Sequence, residues 1–83
     1  MTNEMSTAVG GVALKAGDAI EAMGADPGGG RTWFRATVVA LRDRFPPIHV
    51  RYTATLDGVT NRLALPEPKT AYLHADDVRF PTA

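Results

Sequence analysis

The sequence predicts an all-β fold, either a small barrel or a strongly bent sheet of five short strands. The chain has 83 residues, which is enough for one domain with a thin core. Short runs of alternating apolar and polar residues recur along it, and turns rich in glycine and proline separate these runs. Because no stretch sustains a helical period, we expect at most a turn or two of helix.

The chain is expected to divide into a tail and a body. Residues 1–13 are mostly small and polar, contain adjacent glycines and have no period, which predicts a mostly disordered tail. Residues 14–83 form the predicted barrel domain. Its first strand is expected at Ala19–Met23, because the run before Gly24 is too short for a stable helix.

The second and third predicted strands alternate most clearly. The second, Thr32–Leu41, is rich in β-branched and aromatic residues. The third, Ile48–Thr55, follows a connection with two prolines, which do not fit a central strand. The side chains expected to face the core are Phe34, Ala36, Val38 and Ala40 from the second strand, and Ile48, Val50, Tyr52 and Ala54 from the third.

The last part of the chain predicts two more strands. The Asp57-Gly58 dipeptide is a tight-turn signal, and a fourth strand is expected after it at Val59–Leu65. Residues 69–75 are expected to be irregular. A single helical turn is expected at His74–Asp77, before a short last strand at Val78–Phe80.

Composition and the absence of certain motifs argue against several functional classes. Nine basic residues balance nine acidic ones, whereas strong nucleic-acid binders usually carry a basic excess. The chain has no cysteine, so it has neither disulfides nor a thiolate metal site, and an intracellular location is favoured. No apolar run reaches the ~20 residues of a membrane span. Neither a nucleophile–base pair nor a phosphate loop is present, so we expect no enzyme, cofactor or metal.

Four segments carry a resemblance to a known family. In chain order they are Gly17-Asp18-Ala19-Ile20-Glu21-Ala22, Trp33-Phe34-Arg35-Ala36-Thr37-Val38-Val39, Ile48-His49-Val50-Arg51-Tyr52 and Asp76-Asp77-Val78-Arg79. Together they resemble a Tudor domain, or its close relative the Agenet domain, over roughly Leu14 to Phe80. The resemblance implies a five-stranded SH3-like barrel. It also implies a nuclear, chromatin-associated reader of methylated lysine or arginine, for example on a histone tail, and we expect a monomer.

The resemblance further implies a cage of aromatic side chains around the methylated cation. Aromatic faces attract such a cation because it keeps its charge but is weakly hydrated. Phe34 and Tyr52 match the two cage aromatics of the second and third strands. Met23 falls at or near the cage position of the first strand, Asp57 is the closest acid, and Tyr72 is a candidate third wall. The same Phe34 and Tyr52 would also suit ordinary core positions at a strand end.

Two other functions remain open. Arg35 and Arg51 are expected to point away from the core, which suits an SH3-like barrel that contacts RNA or DNA phosphates. The third reading is a protein-interaction barrel with a degenerate cage, in which Phe45-Pro46-Pro47 or the groove near Tyr52 contacts a partner. Trp33, on the opposite face from Phe34, is expected to be a packing residue.

Overall fold

The computed structural model describes residues 7–58 and 60–81 of the chain. Its strands are β1 (Ala8–Val9), β2 (Val12–Ala13), β3 (Ala19–Ala25), β4 (Arg31–Leu41), β5 (Ile48–Thr55), β6 (Thr70–Leu73) and β7 (Val78–Arg79). Two 3-10 turns lie at Arg62–Ala64 and Ala75–Asp77. Strands β3 to β7 form one antiparallel sheet in the order β6-β5-β4-β3-β7, which curls into a half-barrel. The prediction of a small five-stranded SH3-like barrel with a helical turn before its last strand is confirmed.

Strand β4 is the centre of this sheet. It pairs with β3 over seven residue pairs and with β5 on its other side. Two irregularities in the β4–β5 pairing each leave one residue without an opposite partner, Val39 in β4 and Thr53 in β5. Such bulges increase the local twist, and here they help to curl the sheet. The bulge at Val39 also places Ala40 on the exposed side, so the prediction that Ala40 faces the core is wrong.

The core lies on the concave side of the curled sheet. All the other side chains that the alternation of the second and third strands assigned to the core are buried. The least exposed large side chains are Phe34, Ile20, Ile48, Val38 and Val50. Leu14, from the start of the body, and Leu65, Leu73 and Val78, from its second half, complete the cluster.

The predicted fourth strand is wrong. Val59 lies outside the described residues, and a 3-10 turn occupies Arg62–Ala64. The Asn61 side chain favours this turn because its Oδ1 accepts a hydrogen bond from the Leu63 amide at 3.0 Å. The fourth strand of the sheet is instead β6, within the stretch predicted to be irregular, where it pairs with β5.

The predicted disordered tail differs from the structure in its second half. Residues 1–6 lie outside the described part of the chain. Residues 8–13 form a hairpin of β1 and β2, with Gly10 and Gly11 at its turn, both with positive φ. The side chain of Val9 packs against the core cluster. This hairpin therefore belongs to the folded body, because adjacent glycines allow the tight turn that brings Val9 back onto the core.

Candidate functional site

Phe34 and Tyr52, the two cage walls that the resemblance implies, are in contact. Their ring centroids are 5.7 Å apart with an interplanar angle of 70°, an edge-to-face contact. The antiparallel pairing of β4 and β5 produces this contact, because Tyr52 lies opposite Ala36, two residues from Phe34.

The pair is part of the core and forms no open cage. Phe34 is 1% exposed and Tyr52 is 4% exposed. The Tyr52 hydroxyl donates a hydrogen bond to the main-chain carbonyl oxygen of Met23 at 2.5 Å. Gly24 and the buried Pro66 close the space beside the Tyr52 ring, since a Cβ on Gly24 would lie 2.7 Å from Pro66 Cγ and 3.1 Å from the ring. A methylated cation has no access to these two rings in this conformation.

The other predicted cage residues lie elsewhere. The Met23 carbonyl oxygen accepts the hydrogen bond from Tyr52. The half-buried Met23 side chain, however, lies on the face of β3 that points away from the core. Asp57 lies in the turn after β5, where its carboxylate accepts a hydrogen bond from the Thr55 hydroxyl. Tyr72 lies on the edge strand β6 and stacks against His49, with a centroid distance of 4.4 Å. These positions do not complete a cage around Phe34 and Tyr52.

Burial has a measurable consequence for Tyr52. Desolvation raises the pKa of its phenol above the ordinary value of 10.0, against a smaller opposing effect of the Arg31 charge. A raised folded-state pKa means that the folded protein holds this proton more tightly than the unfolded chain. Its contribution to stability is therefore complete below the unfolded pKa and is lost as pH rises through the folded pKa.

We expect the free energy of unfolding to fall more steeply above about pH 10 in the wild type than in Tyr52→Phe. Urea denaturation at a series of alkaline pH values measures this difference. Tyr72→Phe is the matched control, because it removes the hydroxyl of the other tyrosine, which is 49% exposed. Equal slopes in all three proteins would contradict the burial of the Tyr52 phenol.

Besides the His49–Tyr72 stack, three further ring contacts that the sequence did not predict lie outside the core among the described residues. The Arg79 guanidinium lies 4.1 Å from the centroid of the Trp33 ring. The Arg42 guanidinium lies 3.9 Å from the centroid of the Tyr72 ring. Both are cation–π geometries, so each ring already faces a cation from the chain itself. Trp33 is half-buried, in keeping with a packing residue.

The third contact borders an open cleft at the loop end of the barrel. Phe45 is 81% exposed, and its ring stacks on His74 with a centroid distance of 6.0 Å. We call the adjacent space the loop cleft. Its volume is about 600 Å³, and it is lined by Thr7, Ala8, Arg42, Asp43, Arg44, Phe45, Pro47, His74, Ala75 and Asp76. Sequence reasoning singled out Phe45-Pro46-Pro47 as a contact segment but missed His74, because β6 and hence the position of His74 beside the β4–β5 connection were not predicted.

Arg35 and Arg51 point away from the core, as the alternation predicted. Both are exposed. The Arg35 guanidinium donates from Nε and Nη2 to the Leu56 carbonyl oxygen, each at 3.2 Å. In the register of the sheet, Arg51 lies between Thr37 on β4 and Thr70 on β6. The outer side of the sheet therefore carries both arginines.

Within the described residues, no three metal-ligating side chains come together in a way that would hold a metal ion. The same part of the chain contains no helix with the length and apolar character of a membrane span.

Comparisons with protein-family models, curated proteins and solved structures found no match to this chain. The Tudor resemblance therefore depends on the four sequence segments alone.

Proposed function

We propose that the protein is a non-catalytic, Tudor-like binding module that recognises a peptide with a methylated lysine or arginine, and that this side chain enters the loop cleft. The observation that carries the proposal is the Phe45–His74 stack, which offers aromatic surface at the edge of an open cleft. An exposed ring of this size beside a concave surface is typical of a binding site.

The chemistry of the cleft suits a cationic side chain next to apolar groups. Phe45 supplies a ring face, which attracts a methylated ammonium or guanidinium. The carboxylates of Asp43 and Asp76 line the same space and add negative charge. Of the two arginines in the lining, Arg42 is already engaged, since it lies over Tyr72 and donates from Nε to the Pro46 carbonyl oxygen at 2.6 Å. The buried Phe34–Tyr52 pair holds the barrel together in this proposal and does not contact the ligand.

The test is a titration with matched lysine and arginine peptides in unmethylated and methylated forms. We expect the methylated peptides to bind several-fold more tightly, because one cation–π contact contributes about 0.5–2 kcal/mol. Phe45→Ala should remove this preference without lowering the melting temperature. Leu63→Ala is the control, since Leu63 is 87% exposed and does not line the cleft.

Two outcomes would count against methyl recognition. Binding of no peptide in any form would reject a peptide reader. Equal binding of methylated and unmethylated peptides that still depends on Phe45 would favour the third reading, a protein-interaction barrel that uses Phe45-Pro46-Pro47. That reading is favoured independently by the 81% exposure of Phe45 in the β4–β5 connection.

A further inference from the structure

Charge is unevenly distributed in this neutral chain. The seven strands contain four arginines, Arg31, Arg35, Arg51 and Arg79, and one acidic residue, Glu21. The other acidic residues of the described chain lie in turns and connections. Net charge therefore understates how basic the sheet is, and the distribution of charge is the better guide to an anionic ligand.

The register of the sheet places these charges on its outer face. Residues directly opposite in antiparallel strands share a face, and Glu21 lies opposite both Arg35 and Arg79. Arg79 is neutralised by Glu21, with Nε 2.6 Å from Oε1, and Arg31 has Asp77 at 3.8 Å. Among the described residues, Arg35 and Arg51 form no salt bridge with an acidic side chain. These two exposed guanidinium groups are the uncompensated charges of the face.

Planar groups lie beside these charges on the same face. Arg51 and His49 alternate along β5, so both side chains point outward, and His49 lies opposite Tyr72 of β6. The His49 and Tyr72 rings are stacked, the Arg42 guanidinium packs over Tyr72, and Tyr72 is 49% exposed. The outer face thus combines two arginines that have no acidic partner among the described residues with a stack of three planar groups. Phosphates pair with arginine side chains, and nucleobases stack on planar groups.

We propose that this outer face, defined by Arg35, Arg51, His49, Tyr72 and Arg42, binds single-stranded nucleic acid. The phosphates lie along Arg51 and Arg35, and bases stack on the planar groups at the β5–β6 edge. A double helix suits this surface less well, because its bases are already stacked on each other and cannot lie flat on the rings. Apart from Arg42, which borders both, the surface is separate from the loop cleft, so it binds its ligand whether or not the cleft binds a peptide.

The experiment is a fluorescence anisotropy titration of the full chain with a labelled single-stranded oligomer of mixed sequence, as RNA and as DNA, with duplex DNA of the same sequence alongside. Each titration is repeated at several salt concentrations. For single strands the slope of log affinity against log salt changes by about 0.7 for each phosphate contact. We expect measurable single-strand binding that weakens with salt and is tighter than duplex binding.

Variants locate the contact. Arg51→Gln should lower the affinity several-fold and reduce the salt slope by about 0.7. The Arg51 guanidinium makes no hydrogen bond to another described residue, so the substitution should leave the fold intact. Arg35→Gln should add to this effect. Tyr72→Ala removes the ring between His49 and the Arg42 guanidinium and so disrupts the stack on which bases lie. It should lower the affinity by about fivefold or more, the scale of one lost stacking contact, with a smaller change in salt slope. Lys15→Gln is the charge-matched control outside the strands and should change the affinity by less than twofold.

Several results would overturn the proposal. One is the absence of binding in low salt at protein concentrations of about 100 µM, the weak end of non-specific affinities. Another is an equal loss of affinity in Lys15→Gln and Arg51→Gln, which would indicate only a general response to charge. Tighter binding of the duplex than of the single strand would show that bases do not stack on the planar groups at the β5–β6 edge. Retained methyl-peptide binding in Arg51→Gln would show separately that the loop cleft is intact.

Discussion

Replacing Phe34 with alanine should lower the free energy of unfolding by about 3–5 kcal/mol, the usual cost of removing a buried aromatic ring. Phe34 is the largest of the side chains that are less than 2% exposed, and its ring packs edge-to-face on Tyr52. An 83-residue domain is stable by only roughly 4–12 kcal/mol at common per-residue values. The substitution therefore removes a large part of the stability of the fold. Urea denaturation followed by circular dichroism measures it.

Phe45→Ala is the matched control, because it removes the same atoms from a side chain that is 81% exposed. Its effect on the free energy of unfolding should stay within about 0.5 kcal/mol. If Phe34→Ala leaves too little folded protein, Phe34→Leu should still show a smaller loss. A stable Phe34→Ala protein that loses only ligand binding would mean that Phe34 is a cage wall after all.

Gly24→Ala should lower the free energy of unfolding by about 1–3 kcal/mol, the range for overpacking a well-packed site. The added Cβ would lie 2.7 Å from Pro66 Cγ and 3.1 Å from the Tyr52 ring, distances that require a neighbour to move. Because Gly24, in β3, is paired with Thr32 of β4, its strand cannot easily shift away from Pro66. The expected response is a displacement of Pro66 and a loss of packing over Tyr52.

Gly28→Ala is the control, since a Cβ at that loop position meets only an Asp26 carboxylate oxygen, at 3.2 Å. Its effect on the free energy of unfolding should be smaller than that of Gly24→Ala, because the close atom lies on a loop side chain and not in the core. Pro66→Ala removes the Cγ atom in question, so Gly24→Ala should cost less in the Pro66→Ala background than in the wild type, a difference that a double-mutant cycle measures. Additive effects of the two substitutions would show that Gly24 and Pro66 do not constrain each other.

Alternation predicted the central part of the sheet well. In β4 and β5 the inward residues had to be apolar, because one face of each strand is buried, and a period of two is visible in the sequence. Ala40 was assigned to the wrong face because a bulge shifts the period by one residue, and nothing about Val39 as a residue type marks it as the extra one.

The second half of the chain was harder to predict because its segments are short. Thr70–Leu73 has only four residues, and its pairing with β5 comes from tertiary contacts that local propensity does not encode. Val59–Leu65 looked like a strand because it alternates, yet Asn61 and the following prolines favour a 3-10 turn and an irregular segment. Missing β6 also meant missing the neighbours of Tyr72 and His74. Sequence reasoning therefore named only part of each surface proposed as a binding site, Phe45-Pro46-Pro47 at the loop cleft and Arg35 and Arg51 on the outer face.

Dependence on tertiary contacts also explains why Phe34 and Tyr52 were predicted to meet but not predicted to be buried. Sequence reasoning placed them together correctly, because strand pairing determines which residues meet. Whether the pair is open or covered depends on Pro66, fourteen residues after Tyr52 in the chain, in a segment without a regular period. The position of Pro66 beside Tyr52 depends on how a loop packs on the sheet, and an alternating pattern in the strands does not predict loop packing.

The contact between Trp33 and Arg79 gives this protein an internal optical reporter. Trp33 is the single tryptophan of the chain, and its indole on β4 lies under a guanidinium from β7, the strand nearest the chain end. Emission from this indole is sensitive to the polarity and charge around it, so it follows the attachment of β7 to the sheet directly. Circular dichroism follows all strands at once. A denaturation curve recorded by both signals therefore distinguishes a domain that unfolds as one unit from one whose terminal strand detaches first.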